Sequence, residues 1–178
     1  MTESGKTFAG RTIARKWKDN NWETLVLHKP KEPWGRDEVT IQTTNLDLFL
    51  NAIEERNDEN HRKHLDLGIP EYQLKGYIAF IEIADGDVEK NDTRVHKLFS
   101  QERHNAHKFH YLSQRRQSAH PSIRENCSSL MLFLCHLEQA EVWAKEFNDP
   151  ILKKAASIPP HWFFFKRNKY SPAIYTKL

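Results

Sequence analysis

Gln73-Leu-Lys-Gly-Tyr-Ile-Ala-Phe-Ile-Glu-Ile-Ala84 is the stretch that decides the fold class. In an extended chain Leu74, Ile78 and Phe80 point to one side, and Tyr77, Ala79, Ile81 and Ile83 to the other. Apolar side chains on both faces predict a central strand covered on both sides. Glu82 shares the parity of Ile78 and Phe80, so a half-buried carboxylate is expected at the strand's end. Asp85-Gly86-Asp87 then supplies a turn.

Upstream, Thr24–His28 (TLVLH) reads as a strand, and Glu38–Thr43 (EVTIQT) alternates with Val39 and Ile41 on one face. Lys29–Gly35 carries two prolines and a glycine, so the two strands are expected to form a hairpin across this loop. A helix follows. Thr44 and Asp47 have capping-box spacing, and Leu46, Phe49, Leu50 and Ile53 form one stripe. Its polar continuation over Glu54–Lys63 is expected to fray before the stop at Gly68-Ile69-Pro70.

Downstream, two long helices are expected. The first runs from about Thr93 to Gln117, capped by Asn91 or Asp92. The second runs from Ser122 to Phe147, with Pro121 near its start. Leu130–Leu137 is apolar on nearly every side, which predicts a buried central helix with Leu134 in the middle of the core. Asp149-Pro150 predicts a cap and a short helix over Pro150–Ser157. His161–Tyr170 reads as a last strand or packed tail. The expected class is α+β: a small mixed or antiparallel sheet covered by helices, with a buried central helix near 122–147. Met1–Gly10 is expected to be a flexible end, and residues 11–178 one globular domain.

Composition narrows the classes. In 178 residues, 10 Phe, 5 Tyr and 5 Trp are too many for a disordered chain. No apolar run approaches the ~20 residues of a membrane helix, and the amino-terminal segment has no apolar signal core. Two cysteines make no disulfide framework. The expectation is an intracellular protein, cytoplasmic or nuclear, without a membrane.

Charge is segregated. Lys6–Lys18 has five bases and no acid, Asn45–Asp92 twelve acids and five bases, Arg94–Arg124 seven bases and one acid, and Lys153–Leu178 six bases and no acid. On a helix over Arg94–Gln117, His107, Arg103 and their neighbours would line one face, with Lys108, Tyr111 and Arg115 in the adjacent row. Such a face suits phosphate oxygens. The expected nucleic-acid-binding residues are therefore Arg103, His107, Lys108, Tyr111, Arg115, Arg116, Lys166, Arg167 and Lys169. The aromatics Trp162–Phe165 would stack on bases or fill the core.

Other chemistry finds less support. Zinc would draw on His104, His107, His110, His120, Cys127, Cys135 and His136, yet Cys127 and Cys135 on one helix would lie roughly 12 Å apart. No G-x-S-x-G, P-loop or H-E-x-x-H is found. His120-Pro-Ser122-Ile123 has the H-x-[ST]-apolar form of some phosphoesterases, but His64-Leu-Asp66-Leu, the nearest second copy, lacks the hydroxyl. Glu82, Asp85 and Asp87 are candidate Mg²⁺ ligands for phosphodiester hydrolysis. Gln73–Phe80 also resembles the H-x-Q-G-[FY]-x-x-F strand of rolling-circle replication initiators. Gln73 and Lys75 replace that family's metal-ligand histidine and its glutamine, so the resemblance implies no active site.

The function expected from sequence is thus a non-enzymatic nucleic-acid-binding protein, favouring RNA or single strands, with no cofactor and no resident metal. The alternatives are a protein-interaction or self-assembly module, such as a viral or phage accessory protein, and a metal-dependent phosphodiesterase or nuclease. The partners would be nucleic acid, another protein or a second copy of the chain.

Overall fold

A computed structural model describes residues 5–29, 33–70, 73–74, 76–82, 92–100, 107–113 and 119–177. The chain divides into two compact units, Gly10–Arg124 and Met1–Ala9 with Glu125–Leu178. Helix α1 (Lys6–Asp19) contributes residues to both. Residues 6–10, expected to be a flexible end, form its first turns.

Gly10–Arg124 is built on a four-stranded sheet. Its strands are β1 (Glu23–Leu27), β2 (Ile41–Thr43), β3 (Tyr77–Glu82) and β4 (His107–Leu112), in the order β2-β1-β3-β4. All three pairings are parallel, with Leu25 opposite Ile41 and Ala79, and Ala79 opposite Phe109. Every residue of β3 is buried, as apolar side chains on both faces require. Val26, Ile78 and Phe80 pack on one face with Ala14, Trp34 and Val39. Gly10 is needed here, because a Cβ would come within 2.9 Å of both Leu112 and the Trp34 ring.

The expected β1–β2 hairpin is replaced by a parallel pair. A parallel return needs a crossover of about a dozen residues, and the segment between β1 and β2 is long enough to make one. Glu38, in that segment, is buried against α1, where it accepts from Arg11 Nε at 2.7 Å and Arg15 Nη2 at 3.1 Å.

Helix α2 (Leu46–Asp66) is capped by Asn45 rather than Thr44: Asn45 Oδ1 accepts from Leu48 N at 3.0 Å. Its polar half stays helical because it is tied down. Asn57 and Asn60 are buried, Asn57 Oδ1 accepts from the Tyr77 hydroxyl at 2.8 Å, and Arg56 pairs with Glu23. Gly68, at φ +62, lies just past the helix end, as the sequence predicts.

The two long helices do not form. The first is cut to α3 (Thr93–Ser100), capped by Asp92 Oδ1 accepting from Arg94 N at 2.9 Å. Residues 107–112 are instead strand β4. His-Lys-Phe-His-Tyr-Leu satisfies the strand period as well as the helical one, and an edge of β3 offers a full parallel ladder.

The expected helix 122–147 is a short helix α4 (Pro121–Asn126), strand β5 (Leu130–Phe133) and helix α5 (Leu137–Glu146). A four-residue apolar run fits a strand, and β5 pairs antiparallel with β6 (Trp162–Lys166), which pairs with β7 (Ile174–Lys177). In this sheet the run of aromatics alternates. Phe164 and Leu132 pack under Ala140, Ala144, Phe147 and Leu152, while Phe163 and Phe133 face Ala9 on the other side. Pro150–Ser157 is a 3₁₀ helix whose first turn is capped by Asp149, accepting from Ile151 N at 3.2 Å, in agreement with the sequence reading. The class is accordingly α+β: helices, a mostly parallel four-stranded sheet and a small antiparallel sheet. Among the described residues no helix is long and apolar enough to cross a membrane.

Two stability outcomes follow. Leu134 lies after β5 and is 39% exposed, so the core position expected for it is overturned. Leu134→Ala should cost less than about 1 kcal/mol, whereas Phe147→Ala, which empties a buried site, should cost on the order of 3–5 kcal/mol. Chemical denaturation of both variants checks this ordering.

The second outcome concerns pH. His110 stacks on Phe80 at 4.8 Å, and burial, reinforced by Lys108, lowers its pKa from 6.5 to about 4. The unfolded chain therefore binds more protons than the native one between these values. The contribution is complete above about pH 6.5 and is lost as pH falls toward 4, amounting to at most roughly 3 kcal/mol. Melting curves of the parent should drop across this window, and those of His110→Phe should drop less.

Candidate functional site

The expected nucleic-acid residues do not assemble as the sequence suggested. Arg103, Arg115 and Arg116 lie outside the described residues. His107, Lys108 and Tyr111 are on a strand, so Lys108 points to the opposite face from the other two. His107 is partly buried, its Nδ1 has no hydrogen-bond partner among the described residues, and burial lowers its pKa to about 4. Burial pushes the Tyr111 phenol up to about 12. Lys108 is exposed and sits 4.7 Å above the Trp17 ring, with the Trp22 ring tilted against Trp17 at 4.4 Å.

Arg94 is paired with Asp47 at 2.6 Å and Asp92 at 2.8 Å, and Arg124 is buried against the Ala119 carbonyl. Arg94, Lys108 and Arg124 thus each meet different partners. In the other unit Lys166 is buried, bound to Asp149 at 3.2 Å and to the Ser171 carbonyl, while Arg167 is exposed and Lys169 partly so.

The metal candidates also disperse. His107 and His110 are three residues apart on a strand, which turns them to opposite faces and removes the shared-metal geometry. His96 and His120 stack at 3.9 Å. Cys127 and Cys135 are free thiols, both pushed up by burial. The argument that separated them along one helix falls with that helix. His104, Asp85 and Asp87 are outside the described residues, and among those described no three His, Cys, Asp or Glu side chains cluster around a metal-sized site.

Two other features carry chemistry. The first is Gly5-Lys6-Thr7 at the amino end of α1. The Gly5 carbonyl accepts the first helical bond from Ala9 N at 2.8 Å, making Gly5 the cap. Its φ is +90, a backbone conformation that favours glycine, and a Cβ would lie 3.3–3.4 Å from His161 and Phe133, a tight fit. The first turn contains no acid. A helix start carries partial positive charge and outward N–H groups, the arrangement that binds phosphate. Gly-Lys-Thr is also the closing triplet of the phosphate-binding signature G-x-x-x-x-G-K-[ST]. The sequence reading passed over the triplet because the segment is polar; the signal that finds it is Gly-Lys-Thr leading into an amphipathic helix.

The second feature is Glu82, the last residue of β3. It is 4% exposed, at the carboxyl end of a parallel strand, where open α/β sheets bind their ligands. Trp34 Nε1 donates to Glu82 Oε2 at 2.9 Å, and Lys29 Nζ lies 3.9 Å from Oε1. The half-buried carboxylate expected at this position is therefore present and fully enclosed.

No family model matches the chain, and no curated protein is similar to it in sequence. Solved structures do match in fold. The genome packaging NTPase B204 of Sulfolobus turreted icosahedral virus 2, in complex with AMPPCP, superposes with a TM-score of 0.74 at 11% identity, over 99% of this chain and 93% of that one. Its complex with ATP-gammaS gives 0.71 at 9% identity over the same shares. B204 of Sulfolobus turreted icosahedral virus, described as the DNA-packaging ATPase, gives 0.63 at 11% identity, again over 99% and 93%. The likeness overturns the expectation of a non-enzymatic binder of RNA or single strands, because the scaffold that the two chains share holds a nucleotide analogue in those neighbours. At this identity it is the fold that the chain shares with the packaging NTPases.

Proposed function

We propose that this chain is a nucleoside triphosphatase of the kind that packages viral DNA. The observation that carries the reading is Gly5-Lys6-Thr7 at the start of α1, within a fold shared over nearly its whole length with NTPases held in complex with ATP analogues. In this reading the first-turn N–H groups of α1 bind phosphate oxygens and Lys6 neutralises the β- and γ-phosphates. The Thr7 hydroxyl is a hard oxygen donor suited to Mg²⁺. Magnesium, when bound with nucleotide, supplies charge neutralisation for the transferring phosphoryl group.

DNA is the polymer partner this reading implies, by analogy with the neighbour described as a DNA-packaging ATPase. A second copy of the chain is the protein partner we propose; the acidic Asn45–Asp92 and the basic segments offer complementary charge for it.

The test is binding of a fluorescent ATP analogue and release of phosphate, with and without DNA. The parent should bind and hydrolyse ATP. Lys6→Ala should weaken nucleotide binding by about tenfold or more, since a charge-assisted phosphate contact is worth roughly 1.5–3 kcal/mol. A parent indifferent to nucleotide at millimolar concentration, or a Lys6→Ala protein indistinguishable from it, would remove the proposal.

A further inference from the structure

The turn that joins β6 to β7 is Arg167-Asn-Lys-Tyr-Ser-Pro-Ala173, and the Tyr170 side chain at its tip is 97% exposed. One exposed ring is ordinary on a protein surface. What sets this one apart is that the backbone beneath it is fixed. Asn168 Oδ1 accepts from Tyr170 N at 2.9 Å and from Ser171 N at 2.8 Å, and Ser171 Oγ accepts from Asn168 N at 3.2 Å. Pro172 follows and removes further freedom. Below the tip a single carboxylate holds both legs of the hairpin. Asp149 Oδ2 accepts from Lys166 Nζ at 3.2 Å and from Ala173 N at 2.9 Å, and Lys166 also donates to the Ser171 carbonyl.

The charge of the turn is as one-sided as its backbone is fixed. From Pro150 to Leu178 there are six bases and no acid. The one acid at the edge of this stretch, Asp149, is taken up by Lys166 inside the hairpin. Arg167 is exposed and Lys169 partly so, and among the described residues neither forms an ion pair. The aromatics behind the tip are occupied with one another: Tyr175 stacks on Trp162 at 4.7 Å and lies 5.1 Å from Phe164. A path for single strands offers successive rings to successive bases. Here one tyrosine stands beside two cations, which is the pattern that contacts phosphate oxygens by charge and by a hydroxyl donor.

We propose that the β6–β7 turn is a grip for duplex DNA. Arg167 and Lys169 neutralise backbone phosphates, and the Tyr170 hydroxyl donates to a phosphate oxygen. Because Asn168, Ser171 and Asp149 already hold the turn, little ordering entropy opposes the contact. The choice of DNA as the polymer rests on the packaging-triphosphatase reading. The contact itself lies within one compact unit and needs no nucleotide.

The experiment uses the full chain without nucleotide, a labelled DNA duplex of mixed sequence and the corresponding single strand. Binding is followed by fluorescence anisotropy across a salt titration. Arg167→Ala/Lys169→Ala should weaken duplex binding on all sequences alike and make the log–log salt slope shallower by about two units. Tyr170→Phe keeps the ring and loses only the hydroxyl. It should weaken binding by about two- to tenfold and leave the slope unchanged. Lys177→Ala is the charge control. Lys177 lies opposite Trp162, at the end of β7 away from the turn, and its loss should leave slope and affinity at the parental values.

Parental slope and affinity in a folded Arg167→Ala/Lys169→Ala protein would overturn the inference. An equal loss in Lys177→Ala would overturn it too, by showing that net charge and not the turn governs binding. A loss confined to the single strand would overturn the assignment to duplex. Should the double variant fail to fold, Arg167→Gln alone carries the same test, with an expected slope change of about one unit. Binding of a fluorescent ATP analogue, measured on the parent alongside, separates the two readings. A parent that binds DNA through this turn but no nucleotide removes the triphosphatase reading and leaves the grip. A parent that binds nucleotide but no DNA removes the grip and leaves the triphosphatase.

Discussion

Strand β3 is enclosed on both faces and hydrogen-bonded on both edges, by β1 and by β4. A strand in that position cannot carry a polar side chain without fixing a partner for it, and most of the Gly10–Arg124 unit is arranged around that demand. Tyr77, at one end, turns its hydroxyl to Asn57 and thereby holds the polar half of α2 in helical form. Glu82, at the other, takes the Trp34 indole. Trp34 in turn excludes any side chain at position 10 of α1. The ends of one strand thus determine where a helix continues and where a loop must lie.

The other unit solves a similar problem with different parts. Its three-stranded sheet has aromatic side chains on both faces, covered on one by α5 and the 3₁₀ helix and on the other by Ala9. Its buried charge is Lys166, and Asp149 meets it. The same carboxylate accepts from Ala173 N at 2.9 Å and caps the 3₁₀ helix at Ile151. These contacts, together with Lys166, hold its carboxyl below the usual range against the opposing effect of burial. A lysine that the sequence offered as a phosphate contact is thereby structural. A charged residue at the end of an apolar strand can be a paired interior group as well as a surface one, and spacing alone does not separate the two.

The triplet proposed to bind phosphate and the buried carboxylate Glu82 differ in what holds them in place. The triplet needs little tertiary support, since helix-start N–H groups and a lysine act locally. The carboxylate needs a great deal, because its orientation is set by residues far from it in sequence: Trp34, Gln42 and Gly10. That difference explains why Gly5-Lys6-Thr7 can be recognised once it is seen to open α1, whereas the contact of Trp34 with Glu82 exists only in the folded protein.

The sequence by itself determined those elements whose signals are local: β3 from its two apolar faces, the start of α2 from its stripe, the stop at Gly68, and the Asp149-Pro150 cap. It also placed a half-buried carboxylate at Glu82. It misassigned residues 107–112 and 130–133, because a short apolar or aromatic run fits a helix face and a strand equally well. Pairing decides between them: β4 forms on the open edge of β3, and β5 forms against β6. Parallel pairing of β1 with β2 was likewise out of reach, since a Pro-rich connection reads as a hairpin until Glu38 is seen anchored to α1. The basic segments read as a phosphate-binding face only as long as residues 94–117 were a helix. Once β4 forms, the strand period turns Lys108 away from His107 and Tyr111, and charge counted along the chain no longer gives charge on a face.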